Sequence, residues 1–391
     1  MMQRRHWLLG AAALAGQHAW ARQTAGANTH GKLPPLAVLT AWNQGARSWA
    51  GLWTPHAPVR GIALPARAHQ VLALPSAPGS HTPLALAVAR RPGEYLLRFD
   101  PLRAKPLQWH TMEDDRTLAG HALLSTDATA LYTTETDGAT GQGLVVERDP
   151  ITLAKRREFA SGGVGPHALL LEPGNPPGAD TLLVANGGIL NLPETGRRKL
   201  NLGHMDSNLT RLDARTGTVL ATYRLDDPFL SLRHLARAPD GTIGVALQAE
   251  HPQPQDRRNA PALALLEGNR LHALPMAPGG TALPIALHTW DGYAGDIAYA
   301  EGYFWASAPH AGLLLGWSAQ GLEPVYRELP GAGALAAAAA NGTWKDRLLV
   351  GGSRDAWLLA SPTTRPAIPA AQQHYPLPKA WDNHAQFLTA G

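Results

Sequence analysis

Short apolar runs, each closed by a polar or glycine-rich turn, recur along most of the chain. Three stretches carry the pattern clearly: "GHALLSTDATALYTTE", with His121 to Glu135; "PHALLLEPGNPPGADTLLVAN", with His167 to Asn186; and "RHLARAPDGTIGVALQ", with His234 to Gln248. Each reads as a histidine, a strand, a turn, a second strand and a closing polar side chain. The histidine and the closing residue stand fourteen positions apart in the first and third stretches and nineteen in the second. The extra residues all fall in the turn, where a pair of strands tolerates insertion.

Further strand pairs lie between these units. "GLVVERDPITLAKRREF" and "SNLTRLDARTGTVLATYRL" each read as strand, aspartate-containing turn, strand. Joined to the histidine-headed pairs they make four-stranded units. Weaker copies come before, in "AHQVLALPSAPGSHTPLALAV", and after, in "AGDIAYAEGYFWASAP" and "GALAAAAANGTWKDRLLVGGS". The equivalent positions are His69, His121, His167, His234, Asp296 and Ala334, separated by 52, 46, 67, 62 and 38 residues. A repeat of roughly 40–50 residues predicts an all-β propeller of four-stranded antiparallel blades around a central channel. Six blade cores are legible and the length leaves room for a seventh, so seven blades are expected, with six as the alternative. A β-sandwich or a pair of all-β domains is the competing architecture. The alanine run from Leu335 to Ala340 is read as a small-residue inner strand, although propensity alone would allow a helix.

Composition narrows the picture. The 391 residues are 45% hydrophobic and 16% charged, enough to bury a large core, and 40 glycines with 33 prolines favour turns over long helices. The absence of cysteine excludes disulfides, thiolate metal sites and cysteine nucleophiles. The opening "MMQRRHWLLGAAALAGQHAWA" pairs Arg4 with Arg5, continues into an apolar region and ends in a small-x-small triplet. This is the layout of a signal peptide of the twin-arginine type, and its apolar run is shorter than the ~20 residues a membrane span needs. The expected organisation is a signal peptide at 1–21, an N-terminal extension or the start of the first blade at 22–50, and a single propeller domain at 51–391, exported to the periplasm and monomeric. Removing 1–21 takes away two arginines and leaves 32 basic against 30 acidic residues. A balance this even, without clustered lysine and arginine, gives no nucleic-acid footprint.

The motifs "SGGVGPHALLLEP", "GRRKLNLGHMDSNLTRLDARTG" and "LSLRHLARAPDGTIGVALQAE" resemble a family of uncharacterised, twin-arginine-exported bacterial propellers with YVTN-like repeats. The resemblance covers about residues 55–360. It departs at Thr134-Glu135-Thr136-Asp137, where the family has Thr-Glu-Asn-Asp, and at Met205-Asp206-Ser207-Asn208, where it has Met-x-Pro-Ser. Members of that family are often encoded beside imelysin-type peptidases and di-haem oxidoreductases in iron-uptake gene clusters. The resemblance therefore implies a periplasmic protein linked to iron, with such proteins as partners.

The first strand of each blade lines the channel, so His69, His121, His167 and His234 are expected to converge near the axis. Glu135, Asn186 and Gln248 would then sit on the neighbouring rim. Neutral imidazole binds iron, copper or zinc well, and a carboxylate such as Glu135 can complete the shell. A transition metal (Fe or Cu) or a haem is one reading of the four histidines. The other is that each donates a hydrogen bond to a carbonyl of the next blade. Arg233 suits either an anionic ligand or a salt bridge. Lys199 and Asn201 lie in a long loop that either caps the channel mouth or is pinned by its own hydrogen bonds.

No serine elbow, HExxH motif, phosphate loop or dinucleotide fingerprint occurs. The favoured function is a non-enzymatic binding protein with a metal, haem or partner at the channel. The alternatives are a lactonase-like hydrolase using calcium held by oxygens of Glu135, Asn186 and Asp296, and a pure interaction scaffold.

Overall fold

The computed structural model describes residues 36–76, 80, 82–113, 115–174, 178–192, 195, 198–276, 289–318, 325–338, 344, 347–359 and 373–388. The signal segment 1–21 lies outside these residues, as do Ala339 and Ala340 of the alanine run.

The strands follow in chain order. First come β1 (Val38–Gln44), β2 (Arg47–Trp53) and β3 (Arg60–Leu64). Five four-stranded sheets succeed them. The first is β4 (Ala68–Leu74), β5 (Leu84–Ala89), β6 (Tyr95–Asp100) and β7 (Lys105–Thr111). Next is β8 (Arg116–Leu124), β9 (Leu131–Asp137), β10 (Gly143–Arg148) and β11 (Lys155–Ala160). The third is β12 (Pro166–Glu172), β13 (Thr181–Asn186), β14 (Asn208–Asp213) and β15 (Val219–Tyr223). The fourth is β16 (Leu230–Arg237), β17 (Ile243–Ala249), β18 (Leu263–Glu267) and β19 (Arg270–Leu274). The fifth is β20 (Ile297–Ala300), β21 (Tyr303–Ala308), β22 (Leu313–Ser318) and β23 (Val325–Glu328). The chain ends with β24 (Ala334–Ala337), β25 (Leu348–Gly351), β26 (Asp355–Leu359), β27 (Gln373–Pro376) and β28 (Trp381–Phe387). A short helix, α1 (Pro254–Asn259), sits between β17 and β18.

Consecutive strands pair antiparallel within each sheet, which makes the molecule an all-β propeller. Among the described residues the separate sheets number six rather than the seven expected, because one sheet has eight strands in the order β27-β26-β25-β24-β28-β1-β2-β3. Its two halves meet at a single parallel bridge, Leu335 to His384. In one half β28 pairs antiparallel with β1, so the two ends of the domain share a sheet. β1 and the start of β2 fall within 22–50, so propeller strands begin before residue 51. The alanine segment forms the inner strand β24 over Ala334–Ala337.

Strands β4, β8, β12, β16, β20, β24 and β28 touch one another in turn and close a circle around the axis. Apolar faces of neighbouring sheets pack between these spokes. One cluster joins Leu263 and Leu265 to Phe304, Leu315 and Trp317. Trp290, Trp305 and Trp317 are among the largest fully buried side chains. Trp290 satisfies its indole by donating to the Ala260 carbonyl at 2.9 Å. The turns after β6, β10 and β14 share one device. The Oδ1 atoms of Asp100, Asp149 and Asp213 each accept two backbone N–H bonds from the residues two and three positions on. These aspartates replace the ladder bonds that the turning backbone gives up.

Candidate metal centre

His69, His121, His167 and His234 stand on β4, β8, β12 and β16, the innermost strands of four successive sheets. Each lies at a register shift in the ladder between its strand and the next. The shifts fall between Ala68 and Gln70, Leu118 and Ala122, Pro166 and Leu169, and Leu232 and Leu235. A bulge in an inner strand turns a side chain out of the alternating pattern and re-aims it. The ladder β20–β21 and the ladder β24–β25 have no such shift, and neither carries a histidine at the axis.

The four imidazoles meet. One ring nitrogen from each lies within 4.8 Å of those of the other three, and all four residues are buried. Ring centroids are 4.7 Å apart for His69 and His121, 4.6 Å for His121 and His167, and 4.5 Å for His167 and His234. A fifth histidine, His384 of β28, joins them at 4.6 Å from His69 and 4.7 Å from His234. It too stands in a shifted ladder, opposite the shift between Thr40 and Trp42 of β1.

Asp296, just before β20, holds this part of the hub together. Its Oδ1 accepts from the Ile297 amide at 2.8 Å and lies 3.1 Å from Nδ1 of His384; its Oδ2 accepts from the Leu335 amide at 2.9 Å. The carboxylate therefore ties β20, β24 and β28 at the axis. With Nδ1 facing Asp296, the Nε2 of His384 is left buried without a partner.

The remaining hydrogen bonding at the hub is sparse. Both ring nitrogens of His69, Nε2 of His121 and Nδ1 of His167 are buried without a partner, and Nε2 of His167 faces Nε2 of His234 at 3.2 Å. Carbonyls of adjacent blades do not take up these orphaned nitrogens. Native interiors seldom leave so many polar atoms unmatched in one place. Burial is the main cause that holds the imidazoles of His69, His121, His167 and His234 well below the usual histidine range. Neighbouring histidines and Arg90, Arg91 and Arg233 push in the same direction. The four are neutral at pH 7, with lone pairs available for donation.

The other sequence-expected residues divide. Glu135 is not at the hub: its side chain leaves the opposite face of β9 and makes a buried ion pair with Arg148 at 2.7 Å. It also accepts from Thr133 at 2.5 Å. Strand alternation explains this, since Thr134 takes the other face of β9, where it donates to the His167 carbonyl. Asn186 is consumed by structure, accepting from Ser161 at 2.7 Å and donating to Asn208 at 3.0 Å. Asn201 pins its loop, donating to the Gly188 carbonyl and accepting from the Leu190 amide, both at 2.8 Å. Lys199, Arg233 and Gln248 line a cavity of about 860 Å³ whose floor includes His69, His167 and His234. Lys199 and Gln248 both bind Glu250 there.

His384 was not legible as a site residue. Elsewhere the histidine is followed by a turn and the second strand of its unit. Here the strand that pairs with β28 is β1, at the other end of the domain.

A propeller whose inner strands converge on buried imidazoles is the class of molecule defined by these features. The chain belongs to the family described as "Protein of unknown function (DUF1513)", whose model matches residues 62–388. No curated protein matches the sequence. Among solved structures the chain is similar to a functionally unknown protein from Desulfotomaculum acetoxidans, with TM-score 0.56, 9% identity, and 92% of this chain and 100% of that chain covered. It is also similar to Kuenenia stuttgartiensis hydrazine synthase, with TM-score 0.55, 13% identity, and 82% and 91% covered. The Dos1 propeller gives TM-score 0.52, 10% identity, and 88% and 85% covered. Identities this low carry the fold alone. Among the described residues no helix is long and apolar enough to cross a membrane.

Proposed function

We propose that this protein is a metal-binding propeller, holding one transition-metal ion among the imidazoles at its axis. The observation that carries this reading is the convergence of one ring nitrogen from each of His69, His121, His167 and His234, with both nitrogens of His69, Nε2 of His121 and Nδ1 of His167 buried and unmatched. Two nitrogens bound at ~2.0–2.1 Å to one ion stand at most about 4.2 Å apart, so ligand atoms within 4.8 Å of one another need only a small inward movement of the rings to share an ion. Ring centroids 4.5 to 6.0 Å apart suit an ion and not a porphyrin plane. All-nitrogen donation favours iron, copper or zinc over calcium. The oxygen donors a lactonase-like calcium site would need, Glu135, Asn186 and Asp296, are engaged in separate places. Asp296 is a positioning residue, orienting His384 as outer-shell carboxylates do for metal-binding imidazoles.

We further propose that the eight-stranded sheet is two blades, giving seven in all, a reading supported by the single parallel bridge between its halves. Export by a twin-arginine signal to the periplasm is supported by the arrangement of Arg4, Arg5 and the apolar run after them. A place in iron acquisition beside an imelysin-type peptidase and a di-haem oxidoreductase is supported by the family resemblance of the three motifs.

The test is elemental analysis after chelation and reloading with Fe, Cu or Zn. Wild type should retain about one ion per chain, and the His121→Ala, His167→Ala double variant should bind at least about tenfold more weakly. Asp296→Asn should lose about ten- to a hundredfold in affinity while every imidazole remains. Equal retention by wild type and double variant would end the metal reading and leave the scaffold reading in its place.

A further inference from the structure

His234 belongs to two ligand sets. Besides the four-imidazole group, His234, Asp296 and His384 place one ligand atom each within 4.8 Å of the others. The first set offers nitrogen alone. The second offers two imidazoles, from β16 and β28, and the carboxylate that stands just before β20.

Each set contains a pair already at coordinating distance. Nε2 of His167 and Nε2 of His234 are 3.2 Å apart; neighbouring tetrahedral ligands at ~2.0–2.1 Å from one ion stand about 3.3–3.4 Å apart. Nδ1 of His384 and Oδ1 of Asp296 are 3.1 Å apart; ligands at ~2.1 Å that meet at a right angle stand about 3.0 Å apart. An ion between these two atoms replaces the proton they share. The ring proton then passes from Nδ1 to Nε2 of His384, and no hydrogen bond is lost there, because that Nε2 is buried and unmatched. Asp296 keeps its bonds from the Ile297 and Leu335 amides, since a carboxylate has about four acceptor positions.

The carboxylate decides which ion prefers which place. Four neutral imidazoles bring no negative charge to a divalent ion, whereas Asp296 brings one. Imidazole donation suits copper and zinc; a carboxylate together with water suits harder ions such as Mn²⁺. Three protein ligands leave positions for water, and His234 lines the cavity of about 860 Å³. Building on the metal reading, we infer that the hub gives one ion two overlapping resting places, selected by the ion's own chemistry. Zinc or copper sits among His69, His121, His167 and His234, where Asp296 only positions His384. Manganese(II) sits at His234, Asp296 and His384, where Asp296 is a ligand. Because His234 serves both, one ion excludes the other.

The experiment uses the full chain, freed of metal by chelation and titrated separately with Zn²⁺ and with Mn²⁺, the latter followed by EPR. The His121→Ala, His167→Ala double variant should lose at least about tenfold in Zn²⁺ affinity. Its Mn²⁺ affinity, which uses neither removed ligand, should stay within about threefold of wild type. His384→Gln should weaken Mn²⁺ at least about tenfold. In wild type, Zn²⁺ should displace Mn²⁺ one for one. Should the variants fail to fold, pulsed EPR of Mn²⁺-loaded wild type still decides. Nitrogen couplings from the two imidazoles of the second set support the inference, and couplings from four overturn it. Mn²⁺ weakened by the double variant as much as Zn²⁺, both ions bound together, or no Mn²⁺ uptake likewise overturns it and leaves the four-imidazole site standing. Equal Zn²⁺ affinity in wild type and double variant overturns the metal reading itself.

Discussion

Three of the four histidines recognised from sequence, His69, His121 and His167, are united by what they lack. An imidazole on a strand normally finds water or a carbonyl, whereas His69 has neither nitrogen matched. Burial lowers the proton affinity of His69, His121, His167 and His234 in the folded protein from an ordinary value of 6.5. The unfolded chain therefore binds more protons than the folded one once the pH drops below 6.5. Stability contributed by the neutral imidazoles is complete above that value and is lost as the pH falls towards the lowered folded values. Each imidazole adds a slope of up to about 1.4 kcal/mol per pH unit within that window. The urea midpoint of the metal-free protein should accordingly drop steeply between about pH 7 and pH 5, and an unchanged midpoint would contradict this account. The histidines were legible because each heads a strand–turn–strand pattern. Glu135 was misassigned because it and Thr134 alternate on β9: Thr134 bonds the carbonyls of His121 and His167, whereas Glu135 leaves the other face towards Arg148.

At the scale of elements, the site depends on bulges. Every inner strand that delivers a histidine has a shifted ladder at that point, while those of β20 and β24 run regularly. Sequence periodicity reported the strands but not these shifts, because one or two added residues barely disturb an apolar run of this length. Gly120 of β8 shows how tight the arrangement is. Its φ is +110°, and a β-carbon there would stand 2.5 Å from Cδ2 of His69. Gly120→Ala should destabilise the protein by about 1–3 kcal/mol, visible as a lower melting temperature. It should also weaken metal retention, since His69 must move aside. A variant with wild-type melting and wild-type metal content would show that the bulge is more compliant than described.

For the whole molecule, the repeat was legible because Asp-anchored turns and histidine-headed strands recur at blade spacing. The merged eight-stranded sheet was hidden because half of it draws β28 from one end of the domain and β1 from the other. If the hub binds an ion only when the circle is shut, metal and fold are thermodynamically linked. Saturating the protein at about a hundred times the dissociation constant should then add about 2.7 kcal/mol to its stability. A melting temperature indifferent to the bound ion would break that link.

β28 performs two tasks at once: it seals the ring against β1 and it carries His384 to the axis. Assembly of the histidine hub thus waits on the final seam. An ion whose ligand His234 packs against His384 would be a certificate that the polypeptide has joined end to end.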